Sequence, residues 1–229
     1  MTLKEKIKNV RSSIIAIGFS PSEGKVTIVG SGFYVSSDGT ILTAAHIYNQ
    51  VPLEFRSKLM GMTMIKNDAH GMEQYEWLPL HFLKKEDAHD IALFQITNHK
   101  GMLPPPLTLG DSETVEVGQD AYFIGFPYAA PLMNDGFGIT LIVNKTIVSN
   151  IKQDGTDSAH PRNWFIVDAI SNPGNSGCPL IDMETNAVIG IMSIAFNMKS
   201  QMPKYGDLDV KAPMHIAGAK PINLAKGLI

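Results

Sequence analysis

Asn172-Pro173-Gly174-Asn175-Ser176-Gly177-Cys178-Pro179-Leu180 is the stretch whose reading decides this 229-residue chain. Glycines stand on either side of a serine, at Gly174 and Gly177. Without a Cβ, glycine lets backbone N–H groups converge beside the hydroxyl. Converging N–H groups are what a developing oxyanion needs. Alone, such a motif reads as a loop. Two further segments change that. Thr43-Ala44-Ala45-His46 sets small residues before a histidine at the end of an expected strand. His89-Asp90-Ile91-Ala92-Leu93 sets an acid just before an apolar strand, where a buried carboxylate requires a partner.

Around these three segments the chain has the pattern of an all-β protein. Its 20 glycines and 14 prolines are scattered between short apolar runs. Residues 31–36 and 40–44 flank Asp38-Gly39 and predict a hairpin with a tight turn. Further strands are expected at 13–17, 26–29, 91–96, 121–124, 139–148, 164–167 and 188–194, many rich in Val, Ile, Phe and Tyr. Helix is expected only near the ends. Leu3, Ile7 and Val10 share one face, and Pro221 through Gly227 opens with proline and closes with glycine. Pro104-Pro105-Pro106 continues neither a strand nor a helix and reads as a spacer. It divides the chain into residues 1–106 and 107–229, two packed antiparallel β-barrels with a short C-terminal helix. An active site is expected between them.

Composition narrows the function. A net charge of −3 gives no support to nucleic-acid or polybasic membrane binding. The single cysteine, Cys178, excludes an intrachain disulfide and a cysteine-rich zinc site. His70, His81, His89 and His99 lack ligand spacing, so no metal or cofactor is expected. No apolar run is long enough to span a membrane. Residues 1–18 lack the apolar core and cleavage site of a signal peptide, and the resulting expectation is a cytoplasmic location.

The chain order His46, Asp90, Ser176 matches the chymotrypsin order and differs from the subtilisin and α/β-hydrolase orders. The chain resembles the trypsin-like serine proteases, and among them the HtrA/DegP protease domain. The resemblance rests on Ile14-Ile15-Ala16-Ile17, on Gly30-Ser31-Gly32-Phe33 with Ile41-Leu42-Thr43-Ala44-Ala45-His46, and on Leu107-Thr108-Leu109-Gly110-Asp111-Ser112. It continues through Ile124-Gly125-Phe126-Pro127, Asp168-Ala169-Ile170, the serine segment, Val188-Ile189-Gly190-Ile191 and Pro221-Ile222-Asn223-Leu224-Ala225-Lys226. It departs at Cys178, where the family usually carries glycine or alanine, in residues 50–76 with their methionines Met60, Met62, Met64 and Met72, and in the long, charged stretch Phe196–His215.

The resemblance implies a serine endopeptidase acting on polypeptides through His46, Asp90 and Ser176. The N–H groups of Gly174 and Ser176 would form the oxyanion hole. It would place Ile170 at the floor of an apolar primary pocket, with Ser193, Ile194 and Ala195 on the strand that binds substrate backbone. Asp207 or Asp209 could reach that pocket from its wall. The oligomeric state is left open, and only the resemblance suggests a homotrimer. A latent or non-cleaving peptide-binding module on the same fold is the alternative. An esterase on that fold is a further one. Cys178 is expected to pack behind the serine turn.

Overall fold

The computed structural model describes residues 1–67, 73–153, 159, 162–199 and 211–229. Six strands close the first barrel: β1 (Ile14–Ser22), β2 (Lys25–Tyr34), β3 (Thr40–Thr43), β4 (Leu59–Asn67), β5 (Glu73–Glu86) and β6 (Ile91–Ile96). Six more close the second: β7 (Asp120–Gly125), β8 (Ile142–Lys152), β9 (Trp164–Val167), β10 (Pro179–Asp182), β11 (Val188–Lys199) and β12 (Lys211–Pro221). The orders are β1-β2-β3-β6-β5-β4 and β7-β8-β9-β12-β11-β10, so both barrels share one topology. The expected all-β double barrel is what the chain forms.

The apolar runs follow from burial on both faces of the strands. Along β1, Ile15 and Ile17 enter the first barrel's interior, while Ile14 and Ala16 join the layer between the barrels. On β6, Ala92, Phe94 and Ile96 point one way and Ile91 and Leu93 the other. On β7, Tyr122 and Ile124 meet that same middle layer, and Ala121 and Phe123 fill the second barrel. A strand alternating between two apolar surroundings carries no polar face, so a period of two disappears from the sequence.

The hairpin turn forms as expected. Asp38 accepts from the Thr40 N–H at 3.0 Å, and Gly39 takes φ +91°. The proline spacer crosses between the barrels: Pro105 O accepts from Ser13 Oγ at 2.6 Å, and Leu107 N–H donates to Tyr34 O at 2.8 Å. Helix α1 (Leu3–Val10) carries a Thr2–Glu5 capping box. Its Leu3, Ile7 and Val10 pack on the middle layer, and its Lys6 Nζ donates to the carbonyls of Met183 and Glu184. The C-terminal segment forms a 3₁₀ turn, Ile222–Ala225. The methionine-rich stretch lies largely on β4, with Met62 and Met64 buried; Met72 and His70 lie outside the described residues.

Candidate active site

His46 is the second residue of a short helix, α2 (Ala45–Gln50), which starts directly after β3. The expectation of a histidine ending a strand is thus corrected by one element. The helix is anchored to the turn that holds Asp90. Ala45 N–H donates to Asp90 O at 3.1 Å, and Asn49 Nδ2 donates to Asp87 Oδ1 at 2.9 Å. Asp90 takes φ +56°, a left-handed backbone that Asp tolerates better than most residues. That conformation aims its carboxylate back at the helix. Asp90 Oδ1 accepts from the His46 backbone N–H at 2.7 Å, and Oδ2 accepts from His46 Nδ1 at 2.8 Å. A carboxylate can only accept here, so Nδ1 carries the proton and Nε2 is left as a free base.

Burial pulls the Asp90 carboxyl upward. The hydrogen bond and charge of the His46 ring, the Ser193 hydroxyl and the His46 N–H outweigh it and hold the group below its ordinary value. Asp90 therefore stays ionised beside the imidazole. Ser193 comes from the second barrel: its Oγ donates to Asp90 Oδ2 at 2.5 Å. Ser193 is the extra residue where the β11–β12 register shifts, and such bulges re-aim side chains beside active sites.

Ser176 stands on the turn before β10. Gly174 takes φ +102° and Gly177 φ +81°. A Cβ at Gly177 would overlap Thr43 Oγ1 and the Ser31 carbonyl, because first-barrel backbone passes directly against the turn. Ser31 N–H donates to Ser176 O at 2.8 Å, and Gly177 N–H donates to Met192 O at 2.7 Å. Asn175 N–H is taken by Asn172 O at 2.9 Å and Cys178 N–H by Asn175 O at 3.0 Å. Among the described residues, the N–H groups of Gly174 and Ser176 meet no acceptor. These are the two N–H groups that the resemblance assigns to an oxyanion hole. Tyr128 N–H holds the Pro173 carbonyl at 2.9 Å. A planar trans peptide points its C=O and N–H in opposite directions, so the Gly174 N–H faces away from Tyr128.

The structure thus joins His46 and Asp90 directly and brings the Ser176 turn against the first barrel through backbone. Among the described residues no hydrogen bond links Ser176 Oγ to His46. Catalytic hydrogen bonds commonly tighten only when substrate is bound. Ile170 borders a cavity of about 530 Å³ that is also lined by Asp168, Lys145 and His215. Ser193, Ile194 and Ala195 lie on β11 and do not line that cavity. Asp207 and Asp209 lie outside the described residues. Cys178 is fully buried behind the turn, and burial pushes its thiol far above the ordinary cysteine range. Sequence reading missed the Ser193 hydroxyl on Asp90, since nothing in a lone serine reports a bulge.

Residues 30–191 match the model of the trypsin-like peptidase domain. A probable periplasmic serine endoprotease, DegP-like, from Halomonas elongata is 31% identical over 82% of this chain and 33% of its own length. Serine protease HTRA1 of Xenopus tropicalis is 33% identical over 72% of the chain and 31% of its own. A DegP-like endoprotease of Pseudomonas putida, likewise named periplasmic, is 31% identical over 73% of the chain and 29% of its own. The chain therefore spans about a third of the length of these relatives. The two bacterial names overturn the cytoplasmic expectation and point to an extracytoplasmic location. That expectation rested on residues 1–18, and a chain covering a third of its relatives carries no information about a leader. Matched across residues 30–191 and at 31–33% identity to these proteases, the chain belongs to the trypsin-like serine proteases, among the HtrA/DegP proteins.

Proposed function

We propose that the chain is a serine endopeptidase that hydrolyses polypeptides through an acyl-enzyme, with His46, Asp90 and Ser176 as its triad. The observation that carries this reading is the double acceptance by Asp90 of the two N–H groups of His46, at 2.7 and 2.8 Å. It fixes the tautomer whose Nε2 takes the Ser176 proton as Oγ attacks the peptide carbonyl. The carbonyl oxygen gains its negative charge beside the two N–H groups without acceptors, Gly174 and Ser176, where each such donor is worth about 10²–10³ in turnover. His46 then protonates the leaving amine, and the acyl-serine forms. Water, deprotonated by His46, attacks the ester and releases Ser176 with its proton restored. Residues 1–106 supply the base and its partner, and residues 107–229 supply the nucleophile and the oxyanion donors.

Ile170 supplies the aliphatic floor of the primary pocket, and Ser193, Ile194 and Ala195 supply the strand that aligns substrate backbone. An aliphatic floor pairs no ammonium or guanidinium, and an unpaired buried charge is costly. Discrimination among Val, Ile, Leu and Ala is then shallow, since one methylene is worth about 1–3 kcal/mol. Dominant cleavage of a peptide library after Lys or Arg would contradict this and turn attention to Asp168.

A latent or non-cleaving peptide-binding form is the second reading, favoured by the lack of a Ser176–His46 hydrogen bond. Casein degradation separates the two. The endopeptidase degrades casein, resists EDTA and is stopped by sulfonyl fluorides and by Ser176→Ala. Equal rates for wild type and Ser176→Ala would sink the assignment.

A further inference from the structure

We propose that Ser31 is a positioning residue for the oxyanion-binding turn, reaching it from the first barrel; this rests on the serine-endopeptidase reading above. Ser31 lies on β2 between Gly30 and Gly32 and is fully buried. Its hydroxyl accepts from the Phe126 N–H at 2.9 Å and donates to the Gly174 carbonyl at 2.7 Å. The direction of the hydroxyl proton is forced, because an amide N–H cannot accept. Its backbone N–H holds the Ser176 carbonyl at 2.8 Å, and its own carbonyl is braced by Thr43 Oγ1 at 2.6 Å. One residue of the first barrel therefore grips both Gly174 and Ser176.

The grip matters most at Gly174. With φ at +102° and no Cβ, this residue has no side chain to fix its orientation. Two peptide planes meet there. The Pro173–Gly174 plane is held by Tyr128 N–H on the Pro173 carbonyl, at 2.9 Å. The Gly174–Asn175 plane is held at its carbonyl by the Ser31 hydroxyl, at 2.7 Å, and at its N–H by the Asn172 carbonyl, at 2.9 Å. Removing the hydroxyl releases the carbonyl end of that plane, which lies between the two oxyanion donors, and loosens the spacing at which the Gly174 and Ser176 N–H groups converge on the developing oxyanion. It also leaves the Phe126 N–H without its acceptor. The loss falls on the reacting state, where the oxyanion exists, and leaves binding of the intact probe or substrate untouched.

A fluorophosphonate tests this, because its addition to serine places a charged oxygen in the same donors. Labelling rates across probe concentrations give the maximal rate and the half-saturating concentration separately. For Ser31→Ala the maximal labelling rate is expected to fall about 10–100-fold, less than loss of an oxyanion donor outright. The half-saturating concentration should stay at its wild-type value, and Ser31→Thr, which keeps the hydroxyl, should recover most of the rate. Circular dichroism reports whether each variant is folded. A folded Ser31→Ala that labels at the wild-type rate overturns the proposal, as does a Ser31→Ala whose half-saturating concentration rises while its maximal rate is unchanged. Should Ser31→Thr not fold, Ser31→Cys, with its weak S–H donor, should give an intermediate rate; a rate no better than that of alanine overturns the proposal. A folded wild type that resists labelling altogether defeats the endopeptidase reading, and the role of Ser31 with it.

Discussion

The two barrels share one strand order but hold their parts of the site by different means. In the first, side chains do it: His46 on α2 and Asp90 on its turn are joined by two hydrogen bonds to one carboxylate. In the second, backbone does most of it: the Ser176 turn depends on positive-φ glycines and on backbone hydrogen bonds to β2 and β11, with the Ser31 hydroxyl also on the Gly174 carbonyl. The contrast predicts different vulnerabilities. Trimming a side chain in the first barrel should remove chemistry and leave the fold. Adding a single carbon to the turn of the second should strain the fold itself.

The largest effect is expected from the reacting side chains. His46→Ala and Ser176→Ala should each lower casein turnover by about 10⁴–10⁶, with unfolding temperatures near wild type, because triad members act as a unit. A His46→Ala protein that fails to fold would blur the contrast between the barrels, since the ring would then be structural.

Asp90→Asn comes next, with turnover expected to fall about 10⁴-fold as the tautomer is lost. The same residue has a signature in stability. Its folded pKa is lowered. Its contribution is therefore fully present above the ordinary carboxylate value and disappears as pH falls through the folded value. Unfolding temperatures of wild type and Asp90→Asn should differ at neutral pH and converge in acid. A gap that widens in acid would contradict the ion pair with His46.

Gly177→Ala sharpens the comparison from the other side. At φ +81° a side chain is strained by about 1–3 kcal/mol, before its overlap with Thr43 and Ser31. Thermal unfolding should register the loss even at full occupancy of the His46–Asp90 pair. An alanine variant as stable as wild type would show that the turn can move, and the backbone account of the second barrel would fail.

Much of this was legible in the sequence because the signals are local. Glycines around Ser176, small residues before His46 and an acid before an apolar strand each report a conformation or a need for a partner within a few residues. The elements that escaped depend on distant partners. Strand β5 carries Pro79 and exposes Gln74, Glu76, His81 and Lys84, and it becomes a strand only by pairing with β4 and β6. Strand β2 was expected as two pieces, 26–29 and 31–36, because Gly30 and Gly32 break the apolar pattern; a Cβ at Gly30 would run into Ile47, and one at Gly32 would crowd Ile41. Helix α2 has six residues, too few for a helical period to show. The Ser193 hydroxyl reaches Asp90 only once the barrels pack. Location was misread for a different reason: the opening residues were taken as evidence about a leader, and relatives named periplasmic overrule them.

The smallest effect is expected at Cys178. It is fully buried and its thiol is held protonated, so iodoacetamide should leave both turnover and stability unchanged. Loss of activity on alkylation of the folded protein would place the thiol at the surface of the turn and undo the packing described here.

The central claim is that Ser176, delivered by one barrel, is the nucleophile for the base delivered by the other. Mass spectrometry of the folded protein after fluorophosphonate treatment tests it most directly. A single adduct on Ser176, lost in Ser176→Ala and slowed by orders of magnitude in His46→Ala, is the expected result. An adduct on any other residue, or labelling of Ser176 that is indifferent to His46, would contradict it.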